Sequence, residues 1–426
     1  MTDAFSSSDN DNSDESLSQP ILRDLNLDIE LVSDGLSHPT SMAFVDRTNI
    51  FVLEKNTGAV RLISDGLLKN EPVLELDVDT ASSESCCRGL LGIAIRPAFD
   101  YETPITNVNG NLDITRAEVF LYFSEKIASD EVRNRIYKYQ WDGEFLANPQ
   151  LLLDLPAEPG PNHPGGKLHF GTDGYLFAVI GDLNNEGQLQ NIQDGPSPSD
   201  SSVVLRINAS DGTAAVGNPF EKYRQQQASG LQNQMEKYFA YGIRNSFGLT
   251  VDPLTGYVWD TENGDRDYDE INVISPGFNS GWKKLMGPIS RSDITPEELV
   301  TFDGAYYGDP AFSWNPSLGI TDIEFFNSNL LGQKYYGNIF VGDIANGNLY
   351  FYTINEARNG IVPRDEGLED LVADGDNELS INMIGSGFRG ITDIETGPDG
   401  ALYILTFDYE GEGEGRIYRI IPRTNQ

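Results

Sequence analysis

The sequence predicts an all-β chain, a six-bladed β-propeller with long inter-strand loops, and three observations carry that expectation. Short runs of alternating Val, Ile, Tyr and Phe recur along the chain, bounded by turns of Gly, Asp and Asn, the pattern of antiparallel sheet. The pattern occurs six times at long, uneven intervals, which points to sheets repeated around an axis. Helical periodicity is almost absent, and only Gln225 to Tyr241 leaves room for a short helix.

The copies fall at Thr40 to Ile63, at Gly89 to Tyr122 with an insertion inside it, and at Gly166 to Asp182. The others are Gly248 to Ile274, Tyr336 to Tyr352 and Ile391 to Ile421. Dividing the folded part by six leaves about 70 residues per copy, more than four strands need, so the surplus goes to loops. Pro156 to Gly165 and Asn184 to Ser202, rich in Pro, Gly, Asn and Gln, are the loops expected to carry a site at one mouth of the channel. Residues 1–25 read as an acidic, disordered leader or linker, and 26–426 as one propeller domain.

Composition narrows the function. The 426 residues include 39% hydrophobic and 10% aromatic side chains, enough for a large core. Against 66 acidic residues stand 29 Lys and Arg, a formal charge of −37, which repels nucleic acid and anionic lipid. No apolar run approaches the roughly 18 residues of a membrane span. No signal-peptide pattern opens the chain, so the protein is either cytoplasmic or exported with its signal removed. The Ser/Asn/acid-rich leader favours an extracellular or cell-surface domain. Cys86 and Cys87, the only cysteines, are neighbours. They cannot staple distant segments and lack the spacing of a zinc site, which leaves two buried thiols or a strained ring disulfide.

Chemistry must come from few residues. Of the three histidines, His38 precedes Pro39 beside a strand and His169 alternates within one, so both read as structural. His163 lies in the loop Gly160-Pro161-Asn162-His163-Pro164-Gly165-Gly166, where flanking glycines permit close approach to a ligand. It is the candidate general base, with a hydrogen-bonded loop histidine as the competing reading. The run from Glu262 to Glu270 concentrates oxygen ligands in a turn. A hard cation such as calcium suits it, a solvated acidic turn explains it equally, and it is no EF-hand, since Glu270 stands where glycine is required.

Taken together these segments resemble the glucose/sorbosone dehydrogenase family of six-bladed propellers, which includes the soluble quinoprotein glucose dehydrogenases and the aldose sugar dehydrogenases. The family's H-x-x-G-[RK]-L is His163 to Leu168, and its G-D is Gly181-Asp182. Its G-x-R-N-x-x-G is Gly242 to Gly248. Its E-x-G-x(4)-D-E-[IL]-N is Glu262 to Asn272, and its N-x-G-W is Asn279 to Trp282. Gly89 to Gly92 matches its G-L-L-G, and Gly397 to Gly400 its G-P-D-G. The resemblance implies a calcium-dependent sugar or alcohol dehydrogenase. In such an enzyme the histidine takes a hydroxyl proton while hydride passes to pyrroloquinoline quinone, and an electron acceptor not identifiable from sequence reoxidises the cofactor. It assigns His163 as base and Arg244 with Asn245 as cofactor contacts. Gly264 and Asp265 would offer backbone carbonyls to the cofactor's calcium, and Glu270 would bind a second, structural calcium. Asn162 and Cys87 are the candidate substrate contacts, Cys87 standing where the family places a sugar-binding glutamine.

The chain departs from that pattern at the cofactor's three carboxylates. A G-S-L-K lysine and two arginines of R-x-R-D meet them in the family. Here the segments read Gly342-Asp343-Ile344-Ala345 and Gly390-Ile391-Thr392-Asp393. Each charge-assisted hydrogen bond contributes about 1.5 to 3 kcal/mol, so losing three weakens binding by about a thousandfold or more. Arg389 and Lys167 are the candidate replacements. The opposing expectation is a calcium-stabilised propeller that no longer binds quinone and serves as a carbohydrate- or protein-binding module. A third is calcium-assisted hydrolysis.

Overall fold

The computed structural model describes residues 19–80, 87–97, 117–128, 131–223, 234–408 and 413–424. Most of the expected leader, the insertion in the second copy, Cys86 and residues 225–233 therefore lie outside the described residues. The only α-helix among the described residues is Asp376–Leu379, and Gln234–Lys237 forms a 3-10 turn that leads into strand Tyr238–Tyr241.

The architecture is an all-β propeller. Its strands hydrogen-bond into six sheets, each opening on a strand that lines the centre. These inner strands are β1 (Pro39–Phe44), β2 (Leu90–Pro97), β3 (Leu168–Phe170), β4 (Ser246–Val251), β5 (Ile320–Phe325) and β6 (Gly390–Thr396). Each contacts the next, and β6 contacts β1, so the ring closes. From β1, for example, the chain runs outward through Asn49–Glu54 and Ala59–Ser64 in antiparallel register. Asp46 folds the first of these turns by accepting the backbone N–H groups of Thr48 and Asn49 at 2.8 and 2.9 Å, as Asx turns do.

Two features bring distant segments together. Leu27–Leu36 pairs with Gly415–Pro422, so the sheet begun by β6 is completed by a strand from the other end of the sequence. Ile21–Leu22 pairs with Met383–Ser386, which places part of the 1–25 stretch inside a sheet. Between sheets, aromatic side chains fill the wedge. Trp314, Tyr350, Tyr352 and Phe312 interlock at centroid separations of 4.9 to 5.9 Å, offset or edge-on as ring quadrupoles prefer.

The centre of the ring is charged. Lys167, just before β3, reaches Asp322 of β5 at 2.8 Å and Asp393 of β6 at 2.5 Å. Asp393 also accepts Met42 N–H of β1 at 2.5 Å, and Asp322 accepts Ile394 N–H at 2.9 Å. Four inner strands are thereby tied through one ammonium. Burial alone would lower the Lys167 pKa, but Asp322, Asp393 and Glu395 outweigh it and hold the ammonium charged. One cation cannot balance the surrounding acids, and burial drives the surplus toward the neutral form: Glu324 to about 7, with Asp322 and Glu395 also raised.

Two outcomes follow for stability. Lys167→Met leaves Asp322 and Asp393 buried without their cation and should cost about 3 to 5 kcal/mol, read as a lower urea midpoint. Glu324 titrates near 4.3 when unfolded and about 7 when folded, so its protonated form favours the native state. Its contribution is complete at low pH and disappears as pH rises between those values. Unfolding free energy should fall over that window in the unsubstituted protein and less steeply in Glu324→Gln; identical slopes would refute the assignment.

Candidate functional site

The loop carrying His163 is pressed flat against two strands. A Cβ on Gly165 would sit 2.6 Å from Val179 O, and one on Gly92 of β2 would run into Gly166 O, so only glycine permits this approach. The Tyr122 hydroxyl fastens the loop from below by donating to Pro164 O at 2.7 Å. His163 adopts φ 58° at the turn, and its side chain is 14% exposed. Asn162 beside it is partly exposed, and Cys87 is buried where the chain leads into β2.

Behind His163 stands Asp182, at the end of strand Leu176–Ile180. Asp182 Oδ1 lies 2.7 Å from His163 Nδ1 and accepts Asn184 N–H at 2.8 Å; Oδ2 accepts Trp282 Nε1–H at 2.7 Å. An ionised carboxylate only accepts, so Nδ1 carries the imidazole proton and Nε2 is the free lone pair. Nε2 meets no protein hydrogen-bond partner among the described residues. Sequence reasoning quoted Asp182 within a motif without a role, although an acid at the end of an apolar strand is itself a signal. The preceding glycine is required too. A Cβ on Gly181 would strike the carbonyl oxygens of His163 and Arg244, the two residues whose backbones converge there.

Arg244 follows directly. Its guanidinium donates to Asn263 O at 3.1 Å, reaches Asp265 Oδ1 at 3.4 Å and lies over the Trp282 ring at 5.2 Å. The Arg244 Nε and Asn245 Oδ1 are buried without a partner. The expected cofactor contacts therefore hold unspent hydrogen-bonding capacity, and they share Trp282 with the His163 pair.

The acidic turn divides in two. Gly264 and Asp265 form its outer part, where the Asp265 side chain is exposed. Asp269, fully buried, pins the turn by accepting Gly264 N–H at 3.0 Å, the Ser317 hydroxyl at 2.6 Å, and the N–H groups of Leu318 and Gly319 at 2.7 Å each. Glu270 faces a separate buried cluster with Asp260 and Glu262, accepting Gly287 N–H at 2.5 Å. Burial, and after it the neighbouring acids, raise Asp260 to about 8 and Glu262 upward, and burial raises Glu270 to about 7. Both Asp260 oxygens and Asn272 Oδ1 lack hydrogen-bond partners. Among the described residues no three His, Cys, Asp or Glu side chains converge on one point as a preformed metal site.

The replacement cations are corrected by their partners. Lys167 is spent at the centre on Asp322 and Asp393, and Arg389 is paired with Asp408. Ala345, where the lysine is expected, is exposed; Asp343, two residues before it, is fully buried, raised to about 6 by burial, and accepts Asn346 N–H and the Tyr350 hydroxyl. His169 and His38 match the structural reading. Burial, then Lys167, lowers His169 to about 4, with Nδ1 against Phe170 O, and His38 packs on Phe407 at 5.4 Å. The ring-disulfide expectation involves Cys86, outside the described residues.

Comparison with known proteins places the chain in a family. The chain is 24% identical over 404 residues to the aldose sugar dehydrogenase of Escherichia coli, covering 93% of each. It is 25% identical over 279 residues to quinoprotein glucose dehydrogenase B of Acinetobacter calcoaceticus, covering 62% of this chain and 53% of that one. A solved oxidoreductase (glucose dehydrogenase) structure from Thermus thermophilus superposes with a TM-score of 0.69 at 25% identity, covering 93% of this chain and all of that one. Residues 36–419 match the family model for glucose and sorbosone dehydrogenases, and the chain belongs to the glucose/sorbosone dehydrogenase family.

Proposed function

We propose that this protein is a quinoprotein-like, calcium-dependent sugar or alcohol dehydrogenase in which His163 is the general base. The observation that carries the reading is the His163–Asp182 pair, whose Nε2 is left without a protein partner beside Arg244 and Asn245. Family membership supports the sugar substrate. The six sheets, whose inner strands close a ring, support a propeller of six blades. We place the protein outside the cell or at its surface, in keeping with its acidic leader. No helix among the described residues is long and apolar enough to cross a membrane.

The residues present fit a divalent cation. Asp260 and Asn272 present buried acceptors without donors, next to Glu270, and hard cations take such oxygens. They fit the quinone along one edge only. Arg244 Nε and Asn245 Oδ1 await partners there, whereas the cationic side is absent, Arg389 and Lys167 being committed to Asp408 and to Asp322 with Asp393. When bound, pyrroloquinoline quinone supplies the two-electron acceptor and calcium the Lewis acid. The chain's own part is proton transfer. His163 Nε2 accepts the hydroxyl proton of the substrate, and Asp182 stabilises the resulting imidazolium through Nδ1–H. Arg244, braced over the Trp282 ring, would supply the cation on that side of the ligand. The same missing cations favour the second reading, a calcium-stabilised propeller that binds carbohydrate or protein without quinone.

Metal-free protein incubated with calcium and the quinone should reduce a dye in a sugar-dependent manner. His163→Ala should lower that rate by about a hundredfold to ten-thousandfold, the usual contribution of a general base. Omission of calcium should suppress it. Quinone uptake undetectable well above micromolar concentration would sink the dehydrogenase reading in favour of the binding module.

A further inference from the structure

We infer that Trp282 is a positioning residue of the His163 base: its indole N–H fixes the Asp182 carboxylate and so the tautomer that His163 presents. The inference rests on the reading of His163 as base and names a member of that site which neither motif nor fold assigns. Asp182 has two oxygens with separate duties. Oδ1 receives His163 Nδ1 and Asn184 N–H, while Trp282 Nε1–H is the hydrogen-bond donor recorded on Oδ2, at 2.7 Å. Without it the carboxylate can rotate about its χ2 torsion, a broad and weakly held one. Imidazole in water favours protonation at Nε2, the wrong nitrogen for a base that must keep Nε2 free. A fixed acceptor at Nδ1 reverses that preference.

The indole is itself held firmly. Trp282 is 9% exposed, its backbone N–H donates to Gly242 O at 3.1 Å, and its backbone carbonyl accepts the Asn191 side-chain amide at 2.8 Å. Asn191 is in turn locked to Asn279 by reciprocal amide bonds of 3.0 and 2.9 Å. The face of the same ring carries the Arg244 guanidinium at 5.2 Å. One side chain, a hundred positions from Asp182 in sequence, thus sets both the acid behind the base and the cation beside it.

The test is histidine nitrogen NMR on the full, ¹⁵N-labelled chain above the imidazole titration, with His163 assigned by its disappearance in His163→Ala. The unsubstituted protein should show Nδ1 protonated and Nε2 unprotonated. Trp282→Phe keeps an aromatic face for Arg244 but removes the donor, and both nitrogen shifts should move toward the averaged values of free histidine. Should that variant fold poorly, site-specific benzothienylalanine at position 282 replaces N–H by sulfur in nearly the same shape. With quinone, calcium and sugar present, kcat should fall about tenfold to a hundredfold with KM little changed, as for a misoriented catalytic group. An unchanged tautomer in the donor-less variants overturns the inference whatever the activity. Full activity in His163→Ala would instead defeat the base assignment, leaving the tautomer result intact.

Discussion

The structure depends on one buried ammonium. Lys167 sits between the loop of His163 and strand β3, and its head group joins Asp322 of β5 to Asp393 of β6 across the centre. A propeller has no single core to hold its sheets in register, only wedges between neighbours, and this contact adds a tie across the axis that no wedge supplies. The two glycines before Lys167 then hold the His163 loop on its strands, and the position of the imidazole is inherited from the ring. The same interaction limits the chemistry. A cation committed to two carboxylates at the axis is not available to a ligand's carboxylate at the mouth.

Much of the fold was legible in the sequence because strands and turns are local. Alternation, Gly/Asp turns and six recurrences describe hydrogen-bonded hairpins between neighbouring segments, and the sheets follow them closely. The two closures that join distant segments, Leu27–Leu36 on Gly415–Pro422 and Ile21–Leu22 on Met383–Ser386, are not local and left no comparable trace. The site divides in the same way. His163 stood out through scarcity and its glycine-rich loop. Its partners did not, because Asp182 and Trp282 meet it only through space. Lys167 and Arg389 show the limit of counting: charge can be read in a sequence, but its pairing with Asp393 or Asp408 depends on three-dimensional neighbours.

The acidity of the chain has a buried as well as a solvated component. Asp260, Glu262 and Glu270 lie together without a cation among them, and Asp322, Glu324, Asp393 and Glu395 share one. In a low dielectric such groups hold protons or bind a metal, because separate ionised carboxylates cannot persist side by side. The two clusters differ in what they leave unspent. At the axis a lysine and backbone N–H groups from β1 and β6 pair with Asp322 and Asp393, whereas no cation pairs with Asp260, whose oxygens lack a well-formed hydrogen bond.

Membership of a dehydrogenase family fixes the scaffold more firmly than it fixes the site, and the separation has a physical origin. The His163–Asp182–Trp282 chain and the Arg244 turn are built from backbone approaches that admit only glycine at Gly92, Gly165 and Gly181, so they persist as long as the sheets pack in this way. Side chains just past strand ends carry no such constraint: Ala345, where the resemblance expects a cofactor lysine, is exposed, and an exchange there asks little of the core. A site can thus keep its proton-transfer half while its ligand-charge half drifts. In this chain the two halves meet at Arg244, whose guanidinium is braced by Trp282 and Asn263 O while its buried Nε has no hydrogen-bond partner.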